Sequence, residues 1–173
     1  MKQFDTNNIL FNKLPKENSV YRHFKGTFYK VIGCGVESET KNIDVVYQEL
    51  TPEKSGNLWL RDAEMFLSPV DKEKYPNTDQ KERFKCVNVH IDCARHTIGM
   101  DYNDHRRTYR GKVFFTAWRN HYDAGGSDVN VMEDLVRWGF AEKNSCRMYR
   151  LTDAGMLWLV KVCDDVDVIK IEV

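Results

Sequence analysis

Three short β-forming runs, "GTFYKVIGCG" (26–35), "IDVVYQEL" (43–50) and "NLWLR" (57–61), follow one another with only "ESETKN" and "TPEKSGN" between them. Val, Ile, Tyr, Phe and Trp favour strands, and the spacers have turn composition. Strands this short make a sheet that must close on itself or be covered to survive in water. The pattern predicts a small twisted barrel whose first run ends at Gly33 and Gly35. Side chains alternate along such strands, which puts Tyr29 and Val31 on one face and Phe28, Lys30 and Ile32 on the other. Tyr47 and Trp59 can pair across onto these rows.

Rings are abundant, with nine Phe, eight Tyr and four Trp, and they alternate with cations in "YRHFKGTFYKVIG" (21–33). Burying one ring contributes roughly 2–3 kcal/mol, and a domain of about 65 residues needs several such contributions. Most of these rings are therefore expected in the core and not on a base-stacking surface. The functional remainder is a cage or groove of Tyr21, His23, Tyr47 and Trp59 with Arg61 at its edge, a candidate ligand or partner site for a cation, a base or a peptide.

Residues 1–18 are polar with a few apolar anchors; Pro15 limits any helix, and they read as an N-terminal arm with at most one short docked turn. "DAEMFLSPV" (62–70) has the form of a helical turn halted before Pro69. "DKEKYPNTDQKERF" (71–84) is half charged, as a solvated connector would be; the alternative is a loop folded back with Tyr75 or Phe84 packed. Taken in order and spacing, "YRHFKGTFYKV", "VVYQEL", "LWLR", "EMF" and "DKEKYPNTDQKERF" resemble a small bacterial and phage family, a domain of unknown function with an SH3-like barrel. The resemblance covers about residues 19–87 and implies a fold without an activity. It departs at Asp62, where the family usually has proline, which implies a looser turn into "AEMF".

The second half changes period. "SDVNVMEDLVRWGFAEK" spaces Val129, Met132, Leu135 and Val136 as a helix does, with Ser127 placed as N-cap and Gly139 at the C-terminus. "RMYRLT" predicts a strand. Thr152 or Asp153 then caps a helix with Met156, Leu157, Leu159 and Val160 on its apolar face, and "DVDVIKIEV" predicts a last strand through Val166, Val168, Ile169, Ile171 and Val173. "LVRWGFAEK…YRLTDAG" resembles the second half of a winged-helix domain, and the stretch from "ARHTIGM" onward resembles uncharacterised phage proteins. The fold class expected is thus α+β, an SH3-like β-barrel (19–87) followed by a winged-helix-like α/β module (88–173).

Twenty-six basic residues balance twenty-six acidic ones, so no chain-wide field favours polyanions. Locally, "DHRRTYRGKVFFTAWRN" concentrates Arg106, Arg107, Arg110, Lys112 and Arg119 among Tyr109, Phe114, Phe115 and Trp118. With Arg137 these form a candidate nucleic-acid surface, phosphates meeting cations and bases meeting rings; an ordinary exposed hairpin has the same composition. Glu133 and Asp134 make the helix beside Arg137 a poor reader of phosphate. "HIDCARH" gathers His90, Cys93 and His96 at a spacing that matches no common zinc site, so neither a metal nor a cofactor is expected. Motifs for a nucleophile elbow, a phosphate loop or a dinucleotide site are missing, and Cys93 with His96 makes a weak case for a thiol–base pair. Five widely spread cysteines suit reduced thiols, and no apolar run is long enough to span a membrane. These features point to a cytosolic, non-catalytic binding protein of a phage or prophage. Its partner would be a host protein or ribonucleoprotein, for instance a CRISPR-type defence effector that it occludes. The competing expectation is a DNA- or RNA-binding regulator using 105–119 and the winged half.

Overall fold

In the computed structural model, which describes residues 11–51, 56–101, 105–144 and 147–171, the alternating pattern of the first third becomes five antiparallel strands. β1 (Val20–His23), β2 (Phe28–Val36), β3 (Ile43–Glu49), β4 (Leu58–Asp62) and β5 (Phe84–Cys86) form one sheet in the order β4-β3-β2-β1-β5. Tyr21 lies opposite Tyr29, Val31 opposite Tyr47, Tyr47 opposite Trp59, and His23 opposite Phe84. Opposed residues share a face, so this register collects the rings on one side. β2 does not end at its glycines as expected. A bulge between Val31 and Gly33 shifts the register, and pairing continues through Gly33–Val46 and Gly35–Asp44. A bulged strand with side-chain-free positions bends without breaking its ladder.

The expected closed barrel is not formed among the described residues: β4 and β5 are the two edges of an open sheet. Aromatic packing covers the ring-bearing face instead. Helix α1 (Ala63–Leu67) follows β4 directly, and its Phe66 stacks on Phe84 of the opposite edge strand, with centroids 4.1 Å apart and planes 6° apart. Phe66 also meets Tyr21 and Tyr47 edge-on, and the core comprises Val31, Val45, Tyr47, Ala63, Phe66 and Phe84. Asp62, where the resemblance implies proline and a loose turn, caps α1: its carboxylate accepts the Met65 N–H at 2.9 Å. The charged connector is folded back and not simply solvated. Phe84 is buried, Tyr75 packs on Phe24, and the buried Gln80 amide donates to the carbonyls of Arg22 and Glu82. Of the expected arm, Leu14 packs against the core, and residues 1–10 lie outside the described residues.

The chain divides into two compact units, residues 1–87 and 88–173. The second holds α2 (Asn88–Thr97), β6 (Arg106–Tyr109), β7 (Lys112–Ala117), β8 (Tyr122–Asp123), α3 (Asp128–Arg137), β9 (Ala141–Lys143), β10 (Met148–Leu151), α4 (Asp153–Val162) and β11 (Val168–Ile171). Its sheets are β8-β10-β9, antiparallel, and β11-β7-β6, in which β11 runs parallel to β7. The expected helices, strand and final strand are present. Gly139, at φ +80°, ends α3, and the N–H groups of Gly139 and Phe140 return to the carbonyls of Val136 and Leu135, the hydrogen-bond pair that closes a helix on a left-handed residue. Ser127 sits at the N-cap of α3 without a side-chain capping bond, whereas Thr152 caps α4 by accepting from the Gly155 N–H. The apolar face of α4 is corrected at one position. Leu157 is 73% exposed and Trp158 is buried, because Leu157 lies about 200° round the helix from Gly155, away from Met156, Leu159 and Val162. Val173 lies outside the described residues.

Truncating the ring that joins the two sheet edges tests this account of the first unit. Phe66→Ala is expected to cost about 3–5 kcal/mol in urea unfolding, with loss of near-ultraviolet ring signals.

Candidate functional site

The basic segment 105–119 becomes a hairpin. Arg110 and Gly111 both have positive φ, 51° and 74°, the two-residue turn whose twist matches antiparallel strands. Tyr109 therefore opposes Lys112, Arg107 opposes Phe114, and Arg106 opposes Phe115. The alternation sorts the cations. Arg106 goes to the side of the buried Phe115 and pairs with Asp165 at 2.8 Å; Asp165 also takes a bidentate bond from Arg95 at 3.0 Å. These guanidinium groups hold the Asp165 carboxyl below its ordinary range against the opposing effect of burial.

Arg107, Tyr109, Lys112 and Phe114 go to the other side, where β11 adds Lys170 with its ammonium 5.1 Å from the Phe114 ring. Tyr109 is 58% exposed, and Arg107, Lys112 and Lys170 are exposed. Arg110 at the turn lies over Tyr109, 5.2 Å from its centroid. Among the described residues none of these four cations is paired with a carboxylate. The result is an open sheet face carrying two rings and a fringe of cations.

The remaining sequence candidates sit elsewhere. Arg119 bonds the His96 carbonyl and lies over Trp118, whose indole N–H donates to the Gly99 carbonyl. Arg137 is tied to Asp134 at 2.9 Å. Helix α3 further offers Glu133, which accepts from Lys143 and Tyr149. Lys170 is the member of the face that sequence reasoning missed. Its alternation with Val168 was visible, but the parallel pairing to β7 spans more than fifty residues and has no local signal.

The aromatic cage of the first unit is largely filled. Tyr47 is 2% exposed, Tyr21 and Tyr29 are half-buried, and Trp59, at 44%, stays open. Arg61 donates to the Tyr47 hydroxyl at 3.0 Å and lies 5.8 Å from the Phe84 centroid. Burial, and then Cys86, push the Tyr21 phenol up to about 12. His23 packs on Phe24 and Phe84 at 4.4 and 4.8 Å. Burial first, then Arg61, Arg83, Lys25 and Arg22, bring its pKa down to about 4. What survives of the cage is a cationic rim around a neutral imidazole.

"HIDCARH" lies on α2. His90 bonds Asp134 and stacks on Trp138, while His96 bonds Asp101 at 2.7 Å. Among the described residues no three His, Cys, Asp or Glu side chains are grouped to hold a metal. Burial pushes the Cys93 thiol up to about 12, which makes it a poor nucleophile near neutral pH. A cleft of about 510 Å³ beside α4 is lined by Asn120, Glu142, Arg150 and Thr152. Its polar groups are engaged: Asn120 bridges the Leu151 backbone, Arg150 pairs with Glu142, and Thr152 caps α4. No described helix is long and apolar enough to cross a membrane.

His23 gives these environments a pH signature. Its folded pKa lies below the ordinary 6.5, so the unfolded chain binds the proton first and stability falls as pH drops from about 6.5 to about 4. Measured by urea unfolding across that window, His23→Gln is expected to flatten the slope.

Residues 19–86 match the family described as "Protein of unknown function (DUF1653)". A crystal structure of a DUF1653 protein from Bordetella bronchiseptica is 28% identical, covers 40% of this chain and 83% of that one, and has a TM-score of 0.33. No curated protein matches the chain. The open five-stranded sheet, from the strand before the His23 turn to β5, coincides with the segment that matches the DUF1653 family.

Proposed function

We propose that this is a non-catalytic binding protein whose ligand is a single-stranded nucleic acid laid across the outer face of the β11-β7-β6 sheet. One observation carries the proposal: Tyr109 and Phe114 share that face with Arg107, Lys112 and Lys170, and the cations there lack carboxylate partners among the described residues. Rings stack on bases of any identity while cations meet the backbone. A duplex demands a protruding element, and the obvious one is a poor fit. The β8-β10-β9 order with α3 ahead of the β9–β10 hairpin supports a winged-helix-like description of this half, yet α3 presents Glu133 and Asp134, and its Arg137 is already paired. The β1–β4 meander with its bulged β2 likewise supports an SH3-like description of the DUF1653-matching segment.

A second reading has its own support. Edge strand β4 exposes three consecutive large apolar side chains, Leu58, Trp59 and Leu60, at 61%, 44% and 68%. An exposed apolar edge is a place where a partner protein adds a strand. Occlusion of a host defence component by a phage accessory protein would use this edge, with Trp59 and Arg61 as anchors.

Fluorescence anisotropy with a labelled oligo-dT separates the two. Three phosphate contacts on a single strand give a slope of about −2 in log K against log salt, and Tyr109→Ala is expected to weaken binding by about 1–3 kcal/mol. Arg107→Ala with Lys112→Ala should flatten the slope by more than half. Oligonucleotide binding that is absent, or insensitive to salt, defeats the proposal; capture of a host protein that survives nuclease and is lost in Leu60→Lys favours the second reading.

A further inference from the structure

We propose that the DUF1653-matching segment carries a phosphate-binding site at the rim of its aromatic core, where Arg61, Arg83 and Lys25 surround His23. The three cations come from three separate segments: β4, the residue before β5, and the turn between β1 and β2. Each is held by neutral groups. Arg61 bonds the Tyr47 hydroxyl at 3.0 Å and Met65 sulfur at 3.3 Å, and lies over Phe84. Arg83 donates to Ser68 Oγ at 3.2 Å. Lys25 lies 5.4 Å from the Tyr75 ring centroid. None of the three has a carboxylate partner among the described residues. The segments meet through hydrogen bonds and shared rings: His23 and Arg61 both contact Phe84, and the Phe24 N–H bonds the Arg83 carbonyl.

Positive groups gathered without counter-charge repel one another, and the fold tolerates that where an anion completes the set. Arg61 and Arg83 are half-buried and already oriented, so an anion would meet donors whose ordering cost has been met during folding. Forked guanidinium donors fit the oxygens of a phosphate, and an ammonium adds a point charge. His23 reports on the site. Burial first, and then the positive charge of Arg61, Arg83, Lys25 and Arg22, keep it neutral; a bound anion opposes that charge and raises its affinity for a proton. Arg22, which also donates to Gln80, adds to this field. Trp59, open and opposite Tyr47 on the same face, stands where a ring attached to the phosphate would stack. The site is independent of the nucleic-acid face, which uses other residues in the other unit.

The test is NMR observation of the His23 imidazole in the full chain, titrated at constant ionic strength with inorganic pyrophosphate, with adenosine monophosphate, and with sodium chloride as control. Both phosphates are expected to raise the His23 pKa from about 4 by roughly a unit or more, and chloride to leave it. Arg83→Ala with Lys25→Ala, chosen because their side chains meet Ser68 Oγ and the half-buried Phe24 and Tyr75 rings, should weaken binding about tenfold or more. Tyr109→Ala should leave it unchanged while weakening oligonucleotide binding. Tighter binding of the nucleotide than of pyrophosphate assigns the ligand a ring; equal binding assigns the phosphate alone, and either supports the site. A His23 pKa that responds no more to the phosphates than to chloride, or that responds equally in the double variant, overturns it.

Discussion

The stack of Phe66 on Phe84 is the contact on which the first unit turns. One ring belongs to α1 at the end of edge strand β4, the other to edge strand β5. Stacked at 4.1 Å, they join the two edges without a backbone ladder and roof the face that carries Tyr21, Tyr29 and Tyr47. Aromatic contacts of this sort add to the hydrophobic gain from burial. Asp62 and Ser68 bracket α1 and set where its ring falls: the first caps the helix, and the second bonds the Met65 carbonyl.

That roof also explains the charge distribution around it. A ring core offers cations only π faces and hydroxyls, so Arg61 and Lys25 end on Tyr47, Phe84 and Tyr75, and Arg83 ends on a serine. Carboxylates of the same unit, such as Glu37 and Asp71, are spent on local turns. In the second unit the opposite holds for Arg95, Arg106 and Arg137, which have carboxylate partners. Among the described residues, the cations that alternation sends to the outer face of β6 and β7 have no such partner. The same positive charge is structural on one side of a strand and available on the other.

Much of this was legible in the chain. The three β-forming runs, the ring-rich core, the Gly139 stop, the Thr152 cap and the last strand follow from local propensity and periodicity. The closed barrel was not obtained, because closure depends on whether distant edges meet, and Phe66 and Phe84 stand eighteen positions apart with no periodic signal connecting them. The connector 71–84 looked solvated from its charge; Gln80 and Phe84 fold it back through contacts with β1, nearly sixty residues away in the case of Arg22 and Gln80. Apolarity alone places Leu157 inward, whereas helical phase turns it outward.

For the candidate sites the division is similar. Composition picked out both clusters, one of rings with His23 and Arg61, the other of arginines between 105 and 119. It could not tell which members share a face. The chain alone determined which residues carry charge and rings, and the local periods that make strands and helices, because those depend on neighbours a few positions apart. Tertiary structure decided that Tyr47 is buried, that Arg106 is neutralised by Asp165, that Lys170 joins Phe114, and that His23 and Arg61 meet on the Phe84 ring. Those outcomes depend on the register of strands brought together across long loops, which local sequence does not encode.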